Sequence, residues 1–252
     1  MCRLLGVVTR TPAPLTTTLG VDLEPFAALS SFHCDGWGAA WWAGAEMRVE
    51  KSPETARDSP AFWATVEEAD TDAALLHLRK ASEGMVPSPV NTHPFRAESE
   101  HGPVAFAHNG WFTPVAPVEA ELRARGGRVP EGDTDSERYF ALVLAAMRDL
   151  PPAEALQATA RRITELTDDL VSLNAVMLTP DALFAFSWYD ESHPPSQEAG
   201  PASYELMWRA TEEAVTVASD GWEPPGRRWE RISHGTVLEV DRASLEVSVH
   251  HG

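Results

Sequence analysis

The order of patterns along this chain predicts an α+β fold, with helices packed on the outer faces of a two-sheet core. Three observations carry that expectation. The first part of the chain is built from short apolar runs, each leading into polar or glycine-containing sequence. Two long helical segments follow in the middle. Alternating strand-like runs then return to the end. Strands, then helices, then strands is the order of an α+β layered domain.

CRLLGVV at the start is a short apolar run suited to a buried strand, and GWGAAWWAG, LLHLRKAS and PVAFAHNG repeat the pattern. A short helix is expected from Ser59 through PAFWATVEEA. Thr134 or Asp135 can cap the segment DSERYFALVLAAMRDL, which Pro151 and Pro152 stop. PPAEALQATARRITELTDDL follows as a second helix with prolines in its first turn. NAVMLTPDALFAFSW predicts a hairpin around Pro180 and Asp181, EAVTVASD another strand, and GTVLEVDRASLEVSVH a closing hairpin. The polar, proline-rich stretch from Asp190 to Ser203 reads as an excursion within one domain covering residues 1–252.

The 252 residues suffice for one large core. A formal charge of −18 repels phosphate backbones and makes nucleic acid a poor candidate partner. No apolar run reaches the ~18 residues of a membrane span. The N-terminus lacks the apolar stretch of a secretory signal. The two cysteines, Cys2 and Cys34, form neither a CxxC pair nor a disulfide framework. The cytoplasm is therefore the expected compartment.

Cys2 is the candidate nucleophile. Removal of Met1 would leave an α-amine on the cysteine, with a reference pKa of roughly 7.7–8.0. Nucleophile and general base would then occupy one residue. A small buried residue opening a strand is the plain alternative. Downstream lie Arg79 in HLRKAS, Asn91 and His93 in NTHPF, His108, Asn109 and Gly110 in FAHNG, and Asp133, Asp135 and Glu137 in GDTDSE. Taken in this order behind CRLLG and HCDGWG, these motifs resemble the class II glutamine amidotransferases, which are N-terminal-nucleophile hydrolases. The likeness runs from Cys2 to about Glu137 and continues more weakly to the ASD segment at Ser219, where relatives commonly have ASEP-like sequence.

The resemblance implies a four-layer αββα sandwich and a cysteine amidohydrolase that needs no cofactor and no metal. It implies that Asn109 and Gly110 stabilise the oxyanion, and that Arg79 binds the substrate's α-carboxylate as a bidentate fork. It assigns the α-ammonium to Asp135, which could equally be a helix cap. Ser82 and His93 align with positions bordering the glutamine pocket. His33, Cys34 and Asp35 do not complete a zinc set, and Trp37, Trp41 and Trp42 are expected to pack. The chain is similar to the small stand-alone YafJ-like group, related to the γ-glutamyl hydrolase of ergothioneine biosynthesis. Its substrate would be glutamine, with ammonia passed to a separate enzyme, or another γ-glutamyl amide; a non-catalytic scaffold is the third possibility. Loops at Glu83–Val90, Trp111–Pro117 and Trp222–Arg228 are the candidates for reading whatever lies beyond the scissile nitrogen.

Overall fold

In the computed structural model, the described residues are 2–81, 87–190, 192, 204–219 and 228–252. Strands and helices are numbered along the chain. One seven-stranded sheet contains β1 (Arg3–Pro14), β2 (Trp37–Ala43), β3 (Glu46–Ser52), β4 (Asp70–Leu78), β11 (Leu206–Ala210), β12 (Ala214–Ser219) and β13 (Glu230–Arg231), in the order β13-β11-β12-β1-β4-β2-β3. The six-stranded sheet contains β5 (Phe95–Ser99), β6 (Gly102–Asn109), β9 (Asn174–Leu178), β10 (Ala182–Ser187), β14 (Thr236–Asp241) and β15 (Val247–His250), in the order β15-β14-β10-β9-β6-β5. A small ladder joins β7 (Phe112–Thr113) to β8 (Asp169–Leu170). The helices are α1 (Leu15–Leu19), α2 (Leu23–Ala28), α3 (Pro60–Glu68), α4 (Ala116–Ala124), α5 (Asp135–Ala146) and α6 (Pro152–Leu166).

Three apolar clusters define the layers. Side chains alternate faces along a strand, and each strand of the core splits its residues accordingly. Leu4 and Val8 of β1, Ala73 and Leu75 of β4, and Ala105 and Ala107 of β6 meet between the two sheets. Leu5 and Val7 of β1 point the other way, onto Leu15, Leu19, Phe26 and Phe62 of α1–α3. Val104 and Phe106 of β6 likewise turn outward, onto Tyr139 and Phe140 of α5 and Leu156 and Ile163 of α6. Helices, sheet, sheet and helices are thus stacked as an αββα sandwich. Each layer buries one apolar face against the next, which is the stable solution for one-sided elements.

The expected strands and hairpins form, with β1 running on to Pro14. The long helices end earlier than expected: α5 stops at Ala146 and α6 at Leu166, after which Asp169 and Leu170 enter β8. Thr134, not Asp135, caps α5, accepting the Glu137 N–H at 3.2 Å. Ser59 stands at the cap position of α3, but its hydroxyl donates to Glu54 instead, at 2.8 Å. The segment expected to be a loop at Trp111–Pro117 holds β7 and the first turn of α4. Most of the Asp190–Ser203 excursion lies outside the described residues, as do half of the loop at Glu83–Val90 and most of that at Trp222–Arg228. Trp37 and Trp42 are buried core residues, Trp37 edge-on to Phe62. No helix among the described residues is long and apolar enough to cross a membrane.

Candidate active site

Strand register brings the motifs together. β1 and β4 pair antiparallel with Arg3 opposite Leu78 and Leu4 opposite His77. One step further along, that register sets Cys2 opposite Arg79. Cys2 continues the face of Leu4 and Val8, and Arg79 continues the face of Ala73, Leu75 and His77, so both side chains belong to the layer between the sheets. Asn109 ends β6 on the face of Ala105 and Ala107, pointing into the same layer from the opposite sheet. The two sheets meet there. The Cys2 N–H donates to Asn109 Oδ1 at 2.8 Å. The Lys80 N–H approaches the Cys2 sulfur at 3.4 Å. Cys2 is 9% exposed, the rim of a buried position.

The Asn109 amide is oriented by this contact. An N–H can only donate, so the oxygen must face Cys2. The other end, Nδ2, is then buried with no hydrogen-bond partner among the described residues. Gly110 follows directly. A Cβ there would sit 1.9 Å from the Ser172 carbonyl oxygen, so no other residue fits the turn.

Arg79 is buried, and one guanidinium nitrogen donates to the Asp35 carbonyl at 3.4 Å. Burial lowers its pKa from the ordinary value, while Cys2 and Asp35 pull the other way. The DGWG turn frames this arginine. Arg79 exchanges backbone hydrogen bonds with Asp35 and Gly36 at 3.1 and 2.8 Å. The Asp35 carboxylate accepts the Ala81 N–H at 2.9 Å and lies 3.6 Å from the Lys80 ammonium. Gly38 is needed for a different reason: a Cβ there would lie 2.1 Å from the His93 carbonyl oxygen. Asp35 and Lys80 were not singled out as site residues by sequence reasoning. Their positions next to DGWG and Arg79 were the available signal.

Asp135 is the first residue of α5 and half-buried. One carboxylate oxygen accepts the Phe112 N–H at 2.9 Å, two residues beyond Gly110, and the other accepts the Ser136 N–H at 2.8 Å. It is therefore fastened to the turn that follows Asn109 rather than serving as the helix cap. His93 is buried, its ring 4.4 Å from His77 and 4.6 Å from Phe95. Its ring thus packs in the interior against these two side chains. Ser82 lies outside the described residues. Cys34 is exposed. A cavity of about 90 Å³ lined by Arg125, Leu142, Ala146 and Arg162 sits in the outer helical layer and shares no residue with this cluster.

Comparison with known proteins gives this cluster a setting. The family described as glutamine amidotransferases class-II matches residues 1–193. An uncharacterized protein of Methanocaldococcus jannaschii is 30% identical over 178 residues, covering 69% of this chain and 45% of that protein. The isomerizing glutamine–fructose-6-phosphate aminotransferase of Caulobacter vibrioides is 30% identical over 165 residues, 65% of this chain and 25% of that enzyme. The chain thus spans less than half the length of either relative. A solved glutamine aminotransferase class-II domain protein from Silicibacter pomeroyi shares the fold, with a TM-score of 0.67 over 99% of both chains at 18% identity. With the family matched over more than half its length, the chain belongs to the class II glutamine amidotransferases.

Proposed function

We propose that this chain hydrolyses the γ-amide of glutamine through a thioester on Cys2, with residues 1–252 acting as one amidotransferase domain. The observation that carries the proposal is the Asn109 side chain. It holds the Cys2 nitrogen through Oδ1 and keeps a buried Nδ2 group with no partner among the described residues. The Cys2 nitrogen is an amide while Met1 is attached. Once Met1 is removed it becomes the α-amine, and the same bond to Asn109 can hold it beside the thiol.

In this reading the α-amine takes the Cys2 proton and the thiolate attacks the γ-carbonyl carbon. The carbonyl oxygen becomes an oxyanion, met by Asn109 Nδ2–H and the Gly110 N–H. Collapse of the tetrahedral species breaks the C–N bond, and the proton returns to the leaving ammonia. Water then attacks the thioester, releasing glutamate and restoring the thiol. Arg79 supplies the cation for the α-carboxylate and Asp135 the anion for the α-ammonium; Ser82 and His93 belong to the pocket's surroundings. The ammonia would pass to a separate accepting enzyme.

The test has two parts. Intact mass should show loss of Met1, and a diazo-ketone analogue of glutamine should label Cys2 and spare Cys34. Labelling of Cys34 alone would refute the assignment. Asn109→Ala should lower kcat by about two to three orders of magnitude with little change in KM, as the loss of an oxyanion donor does. Arg79→Lys should chiefly raise KM, because a lysine keeps the charge but loses the fork. Equal and small effects at both positions would favour a non-catalytic scaffold.

A further inference from the structure

His108 precedes Asn109 and therefore points to the opposite face of β6, away from Cys2 and toward α5. It is 1% exposed, with its ring edge-on to Tyr139 of α5 at 5.3 Å. Both ring nitrogens are engaged: Nδ1 lies 2.9 Å from Ser136 Oγ, and Nε2 lies 2.9 Å from the Ser172 carbonyl oxygen. A carbonyl oxygen only accepts, so Nε2 must carry the hydrogen. In the neutral ring, Nδ1 is then the acceptor and the Ser136 hydroxyl its donor.

These two contacts reach both halves of the site from behind. Ser172 is the residue whose carbonyl underlies Gly110 and excludes any side chain there. Ser136 is the neighbour of Asp135 and donates its N–H to that carboxylate at 2.8 Å. Asp135 in turn accepts the Phe112 N–H from beyond the turn. The result is a closed circuit: His108, Ser136, Asp135, Phe112 and the Asn109–Gly110 turn back to His108.

We propose that His108 is a positioning residue that sets the oxyanion turn and the ammonium-binding carboxylate in one fixed relation, so that seating the substrate's amino end and aligning the oxyanion donors are a single geometric condition. The proposal rests on the roles given above to Asn109, Gly110 and Asp135. It gives the histidine of HNG a task separate from contact with the substrate, and it makes Ser136 part of the site although that side chain faces the helix layer. A purely packing role predicts something different, because an aromatic ring of the same size would then serve as well.

The experiment measures kcat and KM for glutamine on full-length, Met1-processed chain. His108→Phe keeps the ring against Tyr139 and removes both hydrogen bonds. It should lower kcat and raise KM, each by about tenfold, the scale of one or two lost hydrogen bonds at a positioned group. Ser136→Ala should shift both parameters in the same directions, and the double variant should cost no more than His108→Phe alone, because both changes break one link. His108→Gln, whose amide can donate at one atom and accept at the other, should recover much of the loss. Should His108→Phe fail to fold, Ser136→Ala carries the test alone. Folded variants with unchanged kcat and KM beside an active wild type would overturn this inference only. A wild type that releases no ammonia and leaves Cys2 unlabelled would overturn the reading of the site together with it.

Discussion

At the scale of single residues, the sequence suggested candidates where a side chain's own chemistry points to a role, and gave no sign of contacts that depend on a neighbouring strand. Cys2, Arg79, Asn109, Gly110 and Asp135 could be named because thiol, guanidinium, amide, glycine and carboxylate each answer to a part of glutamine hydrolysis. His108 and Asp35 stood in the quoted motifs without these contacts, and Ser136 and Lys80 went unremarked, because their hydrogen bonds and ion pair depend on which strand lies beside which. His93, which its motif set at the border of the pocket, is buried with its ring against His77. Among the described residues, none of the four ring nitrogens of that pair has a hydrogen-bond partner. Burial is the main cause that holds both pKa values well below the usual histidine range, reinforced by Arg79, His33 and His108 at His77, and by His77, His108, Arg79 and Lys51 at His93. The folded chain thus resists protons that the unfolded chain accepts below about pH 6.5. Their contribution to stability is complete above that pH and falls as pH drops toward the folded values. Each such histidine should cost about 1.4 kcal/mol per pH unit in that window. Urea unfolding at a series of pH values should show the slope, and His93→Leu should reduce it by about one proton. A flat profile below neutrality would contradict this.

At the scale of elements, hydrophobic period revealed the long and the strongly patterned pieces. The β9–β10 and β14–β15 hairpins and the α5 and α6 helices were legible for that reason. What escaped was short or one-sided. α4 buries only Val118 and Leu122, a single i, i+4 pair. β3 is a charged edge strand whose only fully buried residue is Met47. α1 is one turn containing three threonines, which sequence propensity does not favour as helix. The start of α5 combines both situations. TDSE has the spacing of a capping box, and Thr134 does accept the Glu137 N–H. Glu137, however, reaches further back, accepting the N–H groups of Glu131 and Gly132 at 2.9 and 2.7 Å. The first turn that carries Asp135 is therefore tied down on both sides. Thr134→Ala should lower stability by about 1 kcal/mol and raise KM more than it lowers kcat, since Asp135 moves with that turn. Denaturant midpoints beside steady-state kinetics would check it; a KM unchanged in a destabilised variant would separate the cap from the site.

At the scale of the whole molecule, the layers were legible and their register was not. Strand–helix–strand order implies helices outside paired sheets, and the three apolar clusters occupy those three interfaces. Nothing in the order of segments says that β1 lies between β4 and β12, or that β6 faces it across the sandwich. Those pairings follow from matching apolar faces over the full length of the sheets, and they alone decide that Cys2 meets Asn109. The formal charge of −18 remains a property of the surface and does not bear on this arrangement.

The register of β1 against β4 also divides that strand by its tolerance of length change. From Arg3 to Val8 every residue has a fixed partner, and between Val8 and Ala13 the register slips. A single residue inserted before Val8 would turn Cys2 or its supporting neighbours to the other face of the sheet, because side-chain direction alternates with every step. The same insertion between Thr9 and Pro12 would fall where the ladder already carries an irregularity. Insertion scanning along β1 should therefore yield an inactive stretch ending near Val8 and a permissive one beyond it. Uniform loss along the whole strand would show instead that the irregular stretch is as tightly specified as the end that holds Cys2.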